Sequence, residues 1–189
     1  MAPQGLASRY GWASALLVLL LTLTGCGMKP EDYANTTPAL DLEAYFTGDV
    51  RAWGLFQDRF GKVRRQFTVD IRGYVEDGEL VLEEDFVYLD GEEDRRVWRL
   101  RRLDEHTYEG RAADVDGVAV GKLYGQAFNF RYVLNLPIGT RVVKVNFDDW
   151  MFMHEDGVLV NRAVMSKFGI RLGEVTLFFQ KQDREPESA

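Results

Sequence analysis

The sequence predicts an all-β protein, an antiparallel up-and-down β-barrel of roughly 8 to 10 strands, and three observations carry the prediction. From residue 62 onward, apolar and polar residues alternate with a period of two in run after run. Glycine turn signals separate the runs: Asp77-Gly78, Asp90-Gly91, Asp116-Gly117, Pro137-Ile138-Gly139 and Asp156-Gly157. No long stretch has the 3.6-residue period of a helix. With 189 residues and 46% hydrophobic composition, the chain is long enough for one domain with a sizeable core.

Ahead of the barrel, Trp12 to Leu23 form an apolar run behind Arg9, the layout of a signal peptide over residues 1–25. The run is shorter than the roughly 20 residues that span a bilayer. It ends in Leu23-Thr24-Gly25-Cys26, which resembles the lipobox of bacterial lipoproteins. That resemblance implies cleavage before Cys26, diacylglycerol on its thiol and attachment to a membrane through the lipid. Gly27 stands where Asp would mark retention at the inner membrane, so the implied location is the periplasmic side of the outer membrane. Residues 26–39 lack periodicity and read as a flexible tether.

The barrel domain is expected over residues 40–182, with 183–189 as a disordered tail. Leu40 to Phe46 reads as a short helix or turn closing one end, and Thr47 to Gly54 as a first strand carrying Gly and Trp. This arrangement resembles lipocalins, with the spacing Gly-x-x-x-x-Trp in place of their Gly-x-Trp. In Gln66 to Arg72, Phe67, Val69 and Ile71 face one way and the polar residues the other. Further strands are predicted at about 79–89, 95–104, 107–116, 127–136, 141–153, 158–168 and 172–181. With 90–94 as a loop, Asp85 falls opposite Arg99, Glu83 opposite Arg101 and Phe86 opposite Trp98, which puts charges outside and aromatics inside. Arg95, Arg96, Arg99, Arg101 and Arg102 then read as a solvated face paired with the acidic 76–94 stretch, or as a basic ligand patch.

The residues from Leu40 to Lys181 resemble a proteobacterial lipoprotein family known as domain of unknown function 3833. The likeness is carried by Ala52-Trp53-Gly54-Leu55-Phe56-Gln57-Asp58-Arg59-Phe60-Gly61, by Phe147-Asp148-Asp149-Trp150-Met151, and by Asn161-Arg162 with Met165-Ser166-Lys167-Phe168-Gly169. It implies an envelope protein with a lipobox and brings no catalytic residues.

Composition narrows the function. The net charge of −7 argues against nucleic acid as a partner and against binding anionic lipid through overall charge. Cys26 is the only cysteine, and His106 and His154 are too few for a structural zinc site; composition leaves a carboxylate-rich calcium site open, and no metal or cofactor is predicted. On strand 141–153, Asp149 shares the apolar face of Val143, Val145, Phe147, Met151 and Met153. A two-residue Asp156-Gly157 turn makes Asp149 and Arg162 diagonal neighbours there, predicting an ion pair that either fixes the register or anchors a ligand head. Trp53, Trp98, Phe130 and Tyr132 complete the residues expected to face the lumen. The aromatic residues, of which only Tyr10 and Trp12 precede Cys26, suffice to line a cavity or to fill one. After Cys26 the only serines are Ser166 and Ser188, and a Ser166–His154 couple has no orienting third group, so no enzyme is predicted. The expected function is binding of an apolar ligand such as a fatty acyl chain in envelope maintenance. The alternatives are a filled barrel serving as an interaction scaffold, and a lipid-acting hydrolase or isomerase.

Overall fold

The computed structural model describes residues 27–182; Cys26, the signal segment 1–25 and the tail 183–189 lie outside the described residues. Ten strands form a closed antiparallel barrel in up-and-down order: β1 (Gly48–Asp58), β2 (Val63–Glu76), β3 (Glu79–Tyr88), β4 (Glu93–Arg102), β5 (Thr107–Arg111), β6 (Ala119–Tyr124), β7 (Ala127–Ile138), β8 (Arg141–Met153), β9 (Val158–Lys167) and β10 (Ile170–Lys181). The barrel closes where β1 pairs with β10, with Val50 opposite Lys181. Outward rows carry Asp70 and Arg72 on β2, Glu83 and Asp85 on β3, and Arg95, Arg99 and Arg101 on β4. A barrel embedded in lipid would need an apolar band there.

Turn chemistry sets the register. Asp77-Gly78 is a two-residue turn with both residues at positive φ, which places Glu76 opposite Glu79. Between β8 and β9 the loop holds three residues, closed by the bond from the His154 N–H to the Val158 carbonyl, with Gly157 at φ +74°. The expected two-residue turn is therefore corrected by one position: Asp149 lies opposite Ala163, and Arg162 lies opposite Trp150 on the outer wall. A one-residue slip exchanges the two faces of a strand. The β3–β4 loop also spans three residues, with Gly91 at φ +84°, and the expected pairs shift by four. Asp85 pairs with Arg95 instead of Arg99, Glu83 faces Val97 instead of Arg101, and Leu82, not Phe86, faces Trp98. An even shift keeps every residue on its own face, so Phe86 and Trp98 still point inward.

The expected strand 107–116 stops at Arg111. Residues 112–118 leave the sheet, with Val115 bridged to Leu134, and β6 follows as a strand of its own. Trp53, expected in the lumen, stands on the outer wall, 43% exposed and opposite Phe178, because its neighbours Val50 and Ala52 take the inward parity. Ahead of the barrel, a 3-10 turn at Pro30–Tyr33 lies against the outer wall, its Tyr33 ring 5.2 Å from Phe152 and 6.0 Å from Trp150. The Thr36 hydroxyl accepts from the Gln126 N–H, and the Leu40 N–H donates to the Gly125 carbonyl.

One end is sealed by α1 (Leu42–Phe46), which Asp41 caps by accepting from the Ala44 N–H. Leu40, Leu42 and Phe46 are buried in the barrel, and the Tyr45 hydroxyl donates to the carbonyls of Phe179 and Gly157. Gly73 lets α1 sit so deep, because a Cβ there would collide with the Phe46 carbonyl. At the opposite end the inward residues Phe86, Tyr88, Leu136, Met165 and Val175 are only partly buried, and this end is the mouth. Replacing Gly73 with Ala is expected to lift α1 and destabilise the fold by about 2 kcal/mol, read as a lowered urea midpoint with an unchanged slope.

Candidate functional site

The lumen holds a cavity of about 370 Å³ that runs from α1 toward the mouth. Small-molecule sites typically occupy roughly 300–1,000 Å³, so the barrel is not filled by its own side chains. Most of the lining is apolar. β7 contributes Phe128, Phe130, Tyr132, Leu134 and Leu136, and Trp98 reaches in from β4 to meet Phe130 at 5.1 Å and Tyr132 at 5.2 Å, both edge-on.

Three polar groupings interrupt this lining. The first is Asp149, whose Oδ2 accepts from the Tyr132 hydroxyl at 3.2 Å while Oδ1 has no hydrogen-bond partner among the described residues. Tyr132 is held for this contact by Phe147, which stacks on it at 5.1 Å and 7°. Asn161 is the second. It sits opposite Met151, diagonal to Asp149, and neither its Nδ2 nor its Oδ1 has a partner among the described residues. The third pairs Arg96 with Glu84, which it faces across β3 and β4. Arg96 donates to both Asp114 carboxylate oxygens, at 2.7 to 3.2 Å, which ties the segment 112–118 to the lumen while its backbone bonds to β7.

Burial sets the charge of these groups. It pushes the Asp149 carboxyl up to about 8; the hydrogen bond from Tyr132 pulls the other way, and the Asp148 charge adds to the rise. Burial likewise pushes Glu84 up to about 7 against the pull of Arg96. For Arg96 burial opposes the charge, but Glu84 and Asp114 more than offset it and hold the guanidinium protonated. Burial and the neighbouring Asp149 raise Tyr132 well above its ordinary value, so it remains a phenol. Near neutral pH the lumen is therefore a weakly charged chamber with hydrogen-bond donors and acceptors, not a cationic pocket for a carboxylate.

Of the residues expected in the lumen, Asp149, Trp98, Phe130 and Tyr132 line the cavity together. Arg162 does not: on the outer wall it binds Glu174 at 2.7 Å, and Asn161 takes the inward place assigned to it. Ser166 pairs with Asn146 near the mouth, whereas His154 sits in the β8–β9 turn at the sealed end, so the two do not meet. Arg95 and Arg99 form outer ion pairs with the acidic 76–94 stretch, with Glu83 and Asp85 and with Glu76 and Glu79 respectively, whereas Arg101 pairs with Glu109, outside that stretch. The inward placement of Arg96 and Glu84 went unread, although each shares its parity with a large apolar neighbour, Trp98 and Phe86.

A family model for proteins of unknown function, DUF3833, matches residues 20–181, nearly the whole described chain. The chain belongs to the DUF3833 family. Comparison with curated proteins finds no match. In this DUF3833 chain the residues that carry the family likeness divide between the two faces of the wall: Phe147, Asp149, Asn161 and Met165 line the lumen, while Phe60 and Phe168 stand at the mouth.

A protonated Asp149 carries a stability signature. The folded barrel keeps a proton that the unfolded chain loses near its ordinary carboxylate value, so stability from this group is complete below pH ~4 and is lost as pH rises toward 8. Asp149→Asn keeps the shape and removes the ionisation. It should raise the melting temperature at pH 8 by about 5 °C and leave that at pH 4 little changed, as measured by circular dichroism.

Proposed function

We propose that this barrel binds an apolar ligand with a small, uncharged polar head, an acyl ester, alcohol or amide, and does so as a lipid-anchored protein of the Gram-negative envelope. The observation that carries the reading is the unpaired polar edge formed by Asp149 and Asn161 inside an otherwise apolar cavity of about 370 Å³. Buried polar atoms are nearly always hydrogen-bonded, and those left without a protein partner suit a ligand that brings its own donor and acceptor.

The electrostatics refine the ligand class. A fatty acid carboxylate would be buried beside Glu84 with no free cation to meet it, because Arg96 is already held by Asp114. An uncharged head avoids that cost and accepts from the protonated Asp149 carboxyl or the Asn161 amide. Nothing in this reading involves bond breaking, so the protein holds and releases its ligand unchanged. For the anchor, Cys26 follows an apolar run and would be lipidated; mass spectrometry of the protein from its own membrane is expected to show a diacylglyceryl cysteine at the amino terminus.

Displacement of a fluorescent acyl probe from residues 27–189 tests the binding. Monoacylglycerols should compete better than fatty acids of equal length at pH 7.5, and affinity should rise about fourfold per added methylene until the chain reaches α1. Ala163→Phe, which fills the lumen beside Asp149, should abolish probe binding with little loss of melting temperature. Equal competition by carboxylates, or binding that survives Ala163→Phe, would sink the proposal.

A further inference from the structure

The mouth carries a surface that the lumen does not need. Three turns that are neighbours around the rim, β1–β2, β9–β10 and β7–β8, raise Phe60, Phe168, Ile170, Ile138 and Val142 into solvent. Phe168 is 87% exposed, Phe60 80% and Val142 68%. Scattered surface hydrophobics need no explanation, but a contiguous apolar edge marks a contact. Phe168 adds a second sign, because its φ of +52° is a backbone conformation that a bulky L residue rarely adopts. Asn-Gly or Gly-Gly would make the same turn without strain and without the exposed ring.

Charge on this arc runs against the charge of the chain. Residues 59–65 carry Arg59, Lys62, Arg64 and Arg65; residues 167–171 carry Lys167 and Arg171; residues 137–144 carry Arg141 and Lys144. None of these three stretches contains an acid, although the net charge is −7. Asp58 stands at the foot of the β1–β2 turn and holds Arg64, and Arg65, Lys144 and Arg171 are paired with Glu92, Asp116 and Glu174; the other acids of the rim are gathered on its other two turns, at Asp90, Glu92, Glu93 and Asp94 and at Asp114 and Asp116. Arg59, Lys62 and Arg141 have no ion-pair partner among the described residues. The Arg59 guanidinium lies 4.7 Å from the centre of the Phe60 ring, and Lys167 Nζ lies 5.0 Å from that of Phe168.

We propose that this arc docks the mouth onto a bilayer that carries anionic headgroups, with the ring and aliphatic tips at the headgroup boundary and the cations on the phosphates. Rings at that depth beside basic side chains are the pattern of shallow membrane contacts. Local charge decides such a contact because the field of the membrane fades within about a Debye length, so the distant acids of the barrel count for little. A second copy of the chain is a poorer occupant. The most exposed apolar tips of the rim, apart from Leu89, lie on the basic arc, with Val87 and Val118 less exposed outside it, and covering them with their own counterparts would press cations against cations. The proposal does not rest on the cavity having a ligand.

Residues 27–189 contain the whole barrel and its core, so the arc can be tested apart from any lipid at Cys26. In vesicle flotation, the fragment should bind phosphatidylcholine vesicles containing phosphatidylglycerol at least tenfold better than pure phosphatidylcholine, and raising the salt should weaken binding. Phe60→Ser with Phe168→Ser, and separately Arg59→Glu with Lys167→Glu, should each lower binding at least tenfold while the melting temperature and displacement of the acyl probe in solution stay unchanged. Vesicle binding without probe binding would overturn the ligand reading and leave the docking surface in place. Indifference to phosphatidylglycerol, indifference to both variant pairs, or a dimer that Phe168→Ser dissociates would each overturn the membrane proposal, the last in favour of self-association.

Discussion

In a closed barrel every strand is hydrogen-bonded on both sides, so no free edge absorbs an error in register, and each side chain is committed to the lumen or to solvent by parity alone. The rest of this molecule follows from that constraint. The glycine that closes a three-residue loop between β8 and β9 places Asn161 inside and Arg162 outside. The same parity puts Arg96 and Glu84 in the lumen while their sequence neighbours Arg95 and Glu83 meet on the surface. An arginine turned inward must bring its partner with it, and the departure of residues 112–118 from the sheet delivers Asp114 to it.

Size matters as much as sign. The barrel has aromatic residues enough to choke its own lumen, and small residues on neighbouring strands prevent it. Gly110 and Gly121 leave no Cβ where the rings of Phe130 and Phe128 rest, and Ala119 continues the same shallow trough. The rings lie along the wall across β5 and β6, and Gly54 accepts Phe67 in the same way on the other side. A side chain at those glycines would turn a ring toward the axis. The open space is thus a property of the wall rather than of a shortage of large residues.

The alternation of Phe67, Val69 and Ile71, and of Phe128 to Leu136, was enough to read the barrel and the sense of its faces, because period two is local information. Asp149, Trp98, Phe130 and Tyr132 were legible for the same reason. What escaped depended on counting turn residues. Asp156-Gly157 serves equally in a two-residue turn and at the end of a three-residue loop, and only the ladder of bonds from His154 to Val158 distinguishes them. The parity of the buried Val50 and Ala52 turns Trp53 to the outer wall. The basic apolar rim was invisible along the chain: its three turns are separated by tens of residues and meet only when the barrel closes.

The seal at α1 makes this barrel a cup rather than a pipe. With Leu42 and Phe46 across one end, whatever enters by the mouth must return by it, so filling and emptying are one process run in opposite directions. Such a vessel cannot set up a through-current. Access to the cavity is thereby set entirely by what lies at the rim.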